Sequence, residues 1–221
     1  MDLTSFSPAL IIATVVGLAL APFVAVMVTS FTKIVVVLSL LRNALGLQQT
    51  PPNVVINGLA IVLSVYVMNA VMMSSYDSIN ARLQQNPNRS MDVNRMVEMA
   101  DAGKEPLRAF LLKHSSESER QFFLRSAQRL LPADKQASVT DTDYLVVVPS
   151  FTVSELTASF KIGFLIFLPF LVIDLIVSNI LLALGMMMLS PTTVSLPFKL
   201  LLFVFLDGWA KLVHGLVLTY T

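Results

Sequence analysis

Of the 221 residues, 55% are hydrophobic and 13% charged, and the mean hydropathy is +0.75. That is too apolar for a soluble domain of ordinary composition and places the chain in a membrane. The formal net charge of +1 gives no electrostatic ground for binding nucleic acid or an acidic substrate, and the absence of cysteine excludes disulfides, thiolate catalysis and Cys-ligated metals.

Charge is spread unevenly. Twenty of the 29 charged residues, ten acidic and ten basic, fall between Asp77 and Asp143. The sequence therefore divides into apolar residues 1–76, a charged, water-facing lobe over 77–143 and a second apolar stretch over 144–221. No Lys or Arg precedes Lys33, so the first apolar run lacks the positive region of a cleavable signal peptide and is expected to stay as a structural helix.

Pro8 to Phe31 is uncharged over the ~20 residues that a bilayer-spanning helix needs. Its Thr14, Gly17, Ala19, Ala21, Ala25, Thr29 and Ser30 are small residues of the kind that let helices approach closely, and they predict a protein-facing surface. The run resumes after Lys33 to Leu41. Gly46, Pro51 and Pro52 then stop it, so Arg42 to Asn53 reads as a short loop with Asn53 capping the next helix. That helix, Val54 to Met73, is again uncharged and of spanning length.

Three short amphipathic helices are predicted in the lobe. Val93, Met96, Val97 and Ala100 share a face before Gly103 stops the first, and Pro106 opens a second with Leu107, Phe110, Leu111 and His114 on one side. The third, Ser118 to Leu131, is expected to bury Phe122, Phe123, Ala127 and Leu130 before Pro132 ends it. A lobe of under ~70 residues is marginal alone and should lean on its neighbours.

Tyr144 to Pro149 reads as an apolar bridge, and "TVSE" as a capping box with Thr152 as N-cap and Glu155 reaching back. The long helix begun there carries Lys161, is bent or broken at Pro169, carries Asp174 and Asn179, and reaches Gly185. Pro191 and Pro197 bracket a turn, and a last helix from Phe198 to about Thr219 holds Lys199, Asp207, Lys211 and His214. The fold class is all-α, with membrane-associated helical hairpins and a small helical soluble lobe inserted between them.

Asp174 and Asp207 would each cost ~2.5 to 3.5 kcal/mol at the centre of a lipid-exposed helix, so they should face protein or a water-filled space. A buried ion pair is favoured over a proton relay, with Lys199, Lys161 and Arg42 as the available cations. By loop charge, Lys33 and Arg42 place the first connection in the cytoplasm and the lobe outside; Lys199 agrees, while Lys161 and Lys211 dissent. No catalytic constellation appears. Two aspartates without the flanking motifs of an intramembrane aspartyl protease are a poor signal, and His114 and His214 lack metal-ligand spacing and read as packing or interface residues. No enzyme, cofactor or metal is expected.

"LALGMMMLSP" (Leu182 to Pro191) places three of the 11 methionines together. Methionine is unbranched and polarizable and usually fills core gaps. Consecutive helical residues point about 100° apart, however, so a triplet cannot share one buried face. Around it, "VTSFTKIVVVLSLLRNALGLQQTPPN" (Val28 to Asn53), "PSFTVSELTASFKIGFLIFLPFLVIDLIVSNILLALGMMMLSP" (Pro149 to Pro191) and "SLPFKLLLFVFLDGW" (Ser195 to Trp209) resemble the SctR/FliP family. These are export-gate proteins of type III secretion systems. The lobe matches only in placement and size, and the "HGLVLTY" end with the absent n-region favours the injectisome branch over the flagellar one.

The resemblance implies a homo-oligomer, a pentamer in the family, assembled with SctS-like and SctT-like subunits into a helical ring in the bacterial inner membrane. That ring passes unfolded secreted proteins towards an inner rod and needle base, beside an SctU-like switch protein, and much of the apolar chain sits above the bilayer on the periplasmic side. It implies that Met186, Met187 and Met188 are the gate, with Gly185 and Pro191 as its hinge. Arg42, Glu155, Lys161, Asp174, Lys199 and Asp207 become intersubunit or interhelical polar contacts. Contacts with membrane lipid are expected and none with nucleic acid. Two rivals remain: a proton-coupled transporter with Asp174 as its titrating site, for which no internal repeat is found, and a membrane scaffold without a pore.

Overall fold

The computed structural model describes residues 8–85, 93–186 and 188–221, and these are helices and their connections. The elements are α1 (Pro8–Met27), α2 (Phe31–Ala44), α3 (Asn53–Gln85), α4 (Val93–His114), α5 (Glu117–Leu130), α6 (Ala133–Gln136), α7 (Tyr144–Ala183), α8 (Pro191–Phe205) and α9 (Gly208–Leu218). By length and composition α3 and α7 can each cross a membrane. The bent pairs α1 with α2 and α8 with α9 would make up to four spans.

The first predicted span ends early. Helix α1 stops at Met27, Val28 to Ser30 form a turn, and the chain re-enters α2 bent by 60°. The Ser30 hydroxyl donates to buried Ser64 of α3 at 3.2 Å, so the turn is tied to protein. The small residues Gly17, Ala19, Ala21 and Ala25 are exposed within one chain, so the protein-facing surface expected of them is not supplied by this chain. Helix α2 ends as expected. Gly46, at φ +77°, donates to Asn43 O at 3.0 Å while Leu47 N–H reaches Arg42 O at 3.3 Å, the paired bonds of a glycine-terminated helix.

Asn53 does not cap α3. Its amide oxygen accepts from Arg42 Nη1 at 2.6 Å, and the N–H groups of Val55 and Ile56 bond to Pro52 O instead. Helix α3 then runs twelve residues past Met73 to Gln85, well into the charged segment. The first two lobe helices are one: α4 passes through Gly103 and Pro106 without a break. Gly103 is a close-approach residue, since a Cβ there would lie 2.9 Å from Ile79 Cδ1 of α3. The face with Leu107, Phe110, Leu111 and His114 packs as predicted, but Met96, Val97 and Ala100 are exposed, as are Phe122 and Leu130 of α5. Those side chains form apolar faces that nothing in a single chain covers.

There is no capping box at Thr152. Helix α7 begins at Tyr144, where Asp143 O accepts from Val146 and Val147 and its carboxylate accepts Thr140 N–H at 2.7 Å. Thr152 is inside the helix, its hydroxyl donating to Val148 O at 2.9 Å and lying 3.2 Å from Met27 O. Pro169 does not break α7, because the neighbouring backbone bonds carry the helix over the one missing donor. Pro191 and Pro197 do not bracket a turn either. Pro191 opens α8, where a missing N–H costs nothing, and Pro197 lies within it. The break in the last apolar segment falls instead at Asp207.

Three apolar clusters hold the helices together. Ile34, Val37, Leu38, Ile56, Ala60 and Leu216 join α2, α3 and α9. Leu41, Ala44, Leu45, Phe170 and Phe203 join the end of α2 to α7 and α8. The third, with Met68, Phe110, Leu111, Val147, Phe151 and Tyr220, seats the lobe on α3 and α7, the support that its small size required.

Candidate gate loop and its polar supports

The methionine loop is built by the end of α7. Gly185, at φ +70°, donates to Leu182 O at 3.0 Å, and Met186 N–H reaches back to Leu181 O at 2.9 Å. These bonds close the helix and turn the chain sharply, a geometry that glycine adopts without Cβ strain. Met186 is 48% exposed and Met188 fully so; Met187 lies outside the described residues. Leu189 N–H returns to Met186 O at 3.3 Å and Ser190 leads into Pro191. Met186 and Met188 are thus held away from the chain's own core, unlike Met68, which is buried.

Behind the loop, α7 and α8 are joined by charge. Lys199 Nζ donates to Asp174 Oδ2 at 2.6 Å and lies 3.4 Å from Ala44 O at the end of α2, while Ser195 Oγ donates to Asp174 Oδ1 at 2.5 Å. The lysine side chain is 5% exposed and the aspartate 27%. An ammonium so buried is tolerable because a carboxylate and a carbonyl replace water around it.

A second buried pair sits where the lobe meets the apolar helices. Lys33 Nζ of α2 contacts Glu155 Oε1 of α7 at 2.9 Å. Tyr220 donates its hydroxyl to Glu155 Oε2, and its ring lies under Lys33, 4.0 Å from nitrogen to centroid. The same ring stacks on Phe110 at 5.9 Å and meets His114 at 5.0 Å. Burial, then the nearby Lys33 and Lys113 charges, push the His114 pKa down to about 4, and its Nε2 is buried without a hydrogen-bond partner.

Of the other sequence-selected charges, Arg42 bonds the loop that follows it, to Asn53 and, at 3.3 Å, to Pro51 O. Lys161 and Asp207 are exposed, and among the described residues no hydrogen bond or ion pair reaches either side chain. Sequence reasoning did not select Lys33, Tyr220 or Ser195. Lys33 had been read as a loop charge that sets topology, yet it is a buried helical residue; being the sole charge in the run from Val28 to Leu41 was the available signal. Among the described residues no three His, Cys, Asp or Glu side chains come together as a metal site.

Residues 14–216 match the FliP family. The chain is 53% identical over 211 residues to "Pathogenicity-related ORF2" of Xanthomonas campestris pv. glycines, covering 96% of each chain. It is 50% identical to "Hypersensitivity response secretion protein HrcR" of Ralstonia nicotianae, over 95% of this chain and 96% of that protein. It is 52% identical to "Yop proteins translocation protein R" of Yersinia pestis over 92% of each.

Proposed function

This chain belongs to the FliP family of type III secretion export proteins, and from that premise we propose that it forms, with copies of itself and SctS-like and SctT-like subunits, the channel by which unfolded proteins leave the cytoplasm. The observation that carries this reading is the exposure of Met186 and Met188 on the Gly185 turn. Soft side chains from symmetry-related copies, pentameric by the family resemblance, meet at an axis, exclude water and ions, and yield to a polypeptide of any sequence. Gly185 and Pro191 delimit the loop.

The rest of the assignment follows from that assembly. The division at 1–76, 77–143 and 144–221 is kept, with the charged lobe on the periplasmic side of the inner membrane and an SctU-like switch protein and the inner rod and needle base as neighbours. Arg42, Glu155, Asp174 and Lys199 are interhelical contacts, while the exposed Lys161 and Asp207 side chains face other copies. Exposed Phe164, Leu165, Leu168, Val172, Leu175 and Ile176 along α7 are too extensive an apolar surface for a free soluble monomer and are covered by lipid or neighbouring subunits.

The test is ion leak and protein secretion in cells carrying the whole export apparatus, comparing wild type with Met186, Met187 and Met188 all changed to Ala after equal assembly is verified. Raised leak in the assembled complex supports the seal. Unchanged leak with normal secretion makes the methionines packing residues and moves the seal to a partner.

A further inference from the structure

Asp207 stands at φ 50°, ψ 43°, alone among the described non-glycine residues in having a positive φ. Its N–H donates to Val204 O at 3.1 Å and closes α8; its carbonyl accepts Lys211 N–H at 3.1 Å and opens α9. One residue therefore ends a helix and begins the next, and the axes turn by 61°. Left-handed backbone is disfavoured for L-residues because Cβ crowds the carbonyl, and apart from glycine it is aspartate and asparagine that adopt it most readily.

Gly208 fixes the other half of the corner. A Cβ there would lie 2.2 Å from the Phe203 ring. That ring is 8% exposed, tilted against Phe170 at 6.5 Å and met edge-on by Trp209 at 5.6 Å, so it has no room to withdraw. The bend delivers Leu216, 2% exposed, into the cluster with Ile34, Val37 and Leu38, and brings Tyr220 to Glu155. A straight continuation of α8 would carry both away from α2. The Asp207 carboxylate itself is exposed and makes no hydrogen bond or ion pair among the described residues.

We infer that Asp207 is a positioning residue that acts through its backbone: with Gly208 it forms a fixed elbow that turns α9 off the line of the gate hairpin and back onto α2, whatever charge the side chain carries. The gate reading gives this elbow its purpose, but its geometry is tested separately.

Because the chain has no cysteine, spin labels can be placed at Thr193→Cys and Leu218→Cys, both exposed, in the full-length protein in detergent. At 1.5 Å per residue the two sites would be about 37 Å apart in one straight helix and about 5 Å closer at the observed bend. Wild type, Asp207→Asn and Asp207→Gly are expected to share the shorter distance, since none of them closes the left-handed backbone. Asp207→Val, whose branched Cβ excludes left-handed backbone, is expected to lengthen it by about 5 Å and to abolish secretion. Lengthening in Asp207→Asn would show that charge sets the bend, and an unchanged distance in Asp207→Val would show that the backbone does not; either overturns the inference. Should Asp207→Val fail to fold, Asp207→Ala is read the same way. The distances stand or fall independently of whether the methionines prove to be the seal.

Discussion

Lys33 and Glu155 form an ion pair at 2.9 Å with side chains 5% and 3% exposed, between two helices 122 positions apart in sequence. Removing one partner leaves an uncompensated charge. Lys33→Ala or Glu155→Ala alone should therefore destabilise the chain by about 3–5 kcal/mol. The double variant Lys33→Ala with Glu155→Ala should cost less than the sum of the single changes. Denaturation of the four proteins in one detergent measures the coupling, and strict additivity would mean that the pair contributes nothing beyond its parts.

Asp174 is held by both Lys199 and Ser195, and the two contacts should not be equal. Ser195→Ala removes one neutral donor and is expected to cost about 1–2 kcal/mol, whereas Lys199→Ala strands the carboxylate and should cost about 3–5 kcal/mol. A melting series on purified protein ranks them. Equal effects would indicate that the ammonium is not needed.

Gly163 of α7 faces Leu40 of α2 so closely that a Cβ would lie 2.2 Å from Leu40 Cδ1 and 3.1 Å from its Cβ. Gly163→Ala should push the helices apart at a cost of about 1–3 kcal/mol, and adding Leu40→Ala should restore part of it. Chemical denaturation of both variants checks the recovery.

His114 gives stability a pH dependence of definite sign. Its folded pKa of about 4 lies below the ordinary 6.5, so the unfolded chain takes up a proton first. Its contribution is fully present above pH 6.5 and is lost as pH falls from 6.5 towards 4. The charges that act on it are Lys113 on its own helix and Lys33 from α2, the latter paired with Glu155 of α7, and Tyr220 touches both His114 and Glu155. His114→Gln is expected to flatten the melting temperature over that window relative to wild type; a variant with the same slope would assign the dependence to another group.

The family, the all-helical class and the glycine stop at Gly46 were legible because each is written locally, in a run of apolar residues or a motif. Asp174 with Lys199 was legible in part, since an acid within an apolar segment demands a cation and Lys199 was among the few present. Helix breaks were read poorly. Local propensity reads Gly103 as a stop, Pro106 as a helix start and Pro169 as a bend or break, yet α4 and α7 run through them as continuous helices. The real corner at Asp207 has neither proline nor a glycine run to announce it before the turn.

The sequence by itself determined that the chain is helical, that a charge-rich segment separates two apolar ones and that three methionines follow Gly185, because composition and motif are properties of neighbouring residues. Only the tertiary structure decided that Lys33 meets Glu155 under the Tyr220 ring, that Gly103 and Gly163 are close-approach sites, and that Asp207 is an elbow. Each of these depends on which helix faces which across a distance of tens to more than a hundred residues, and burial and sterics between helices have no counterpart in local periodicity.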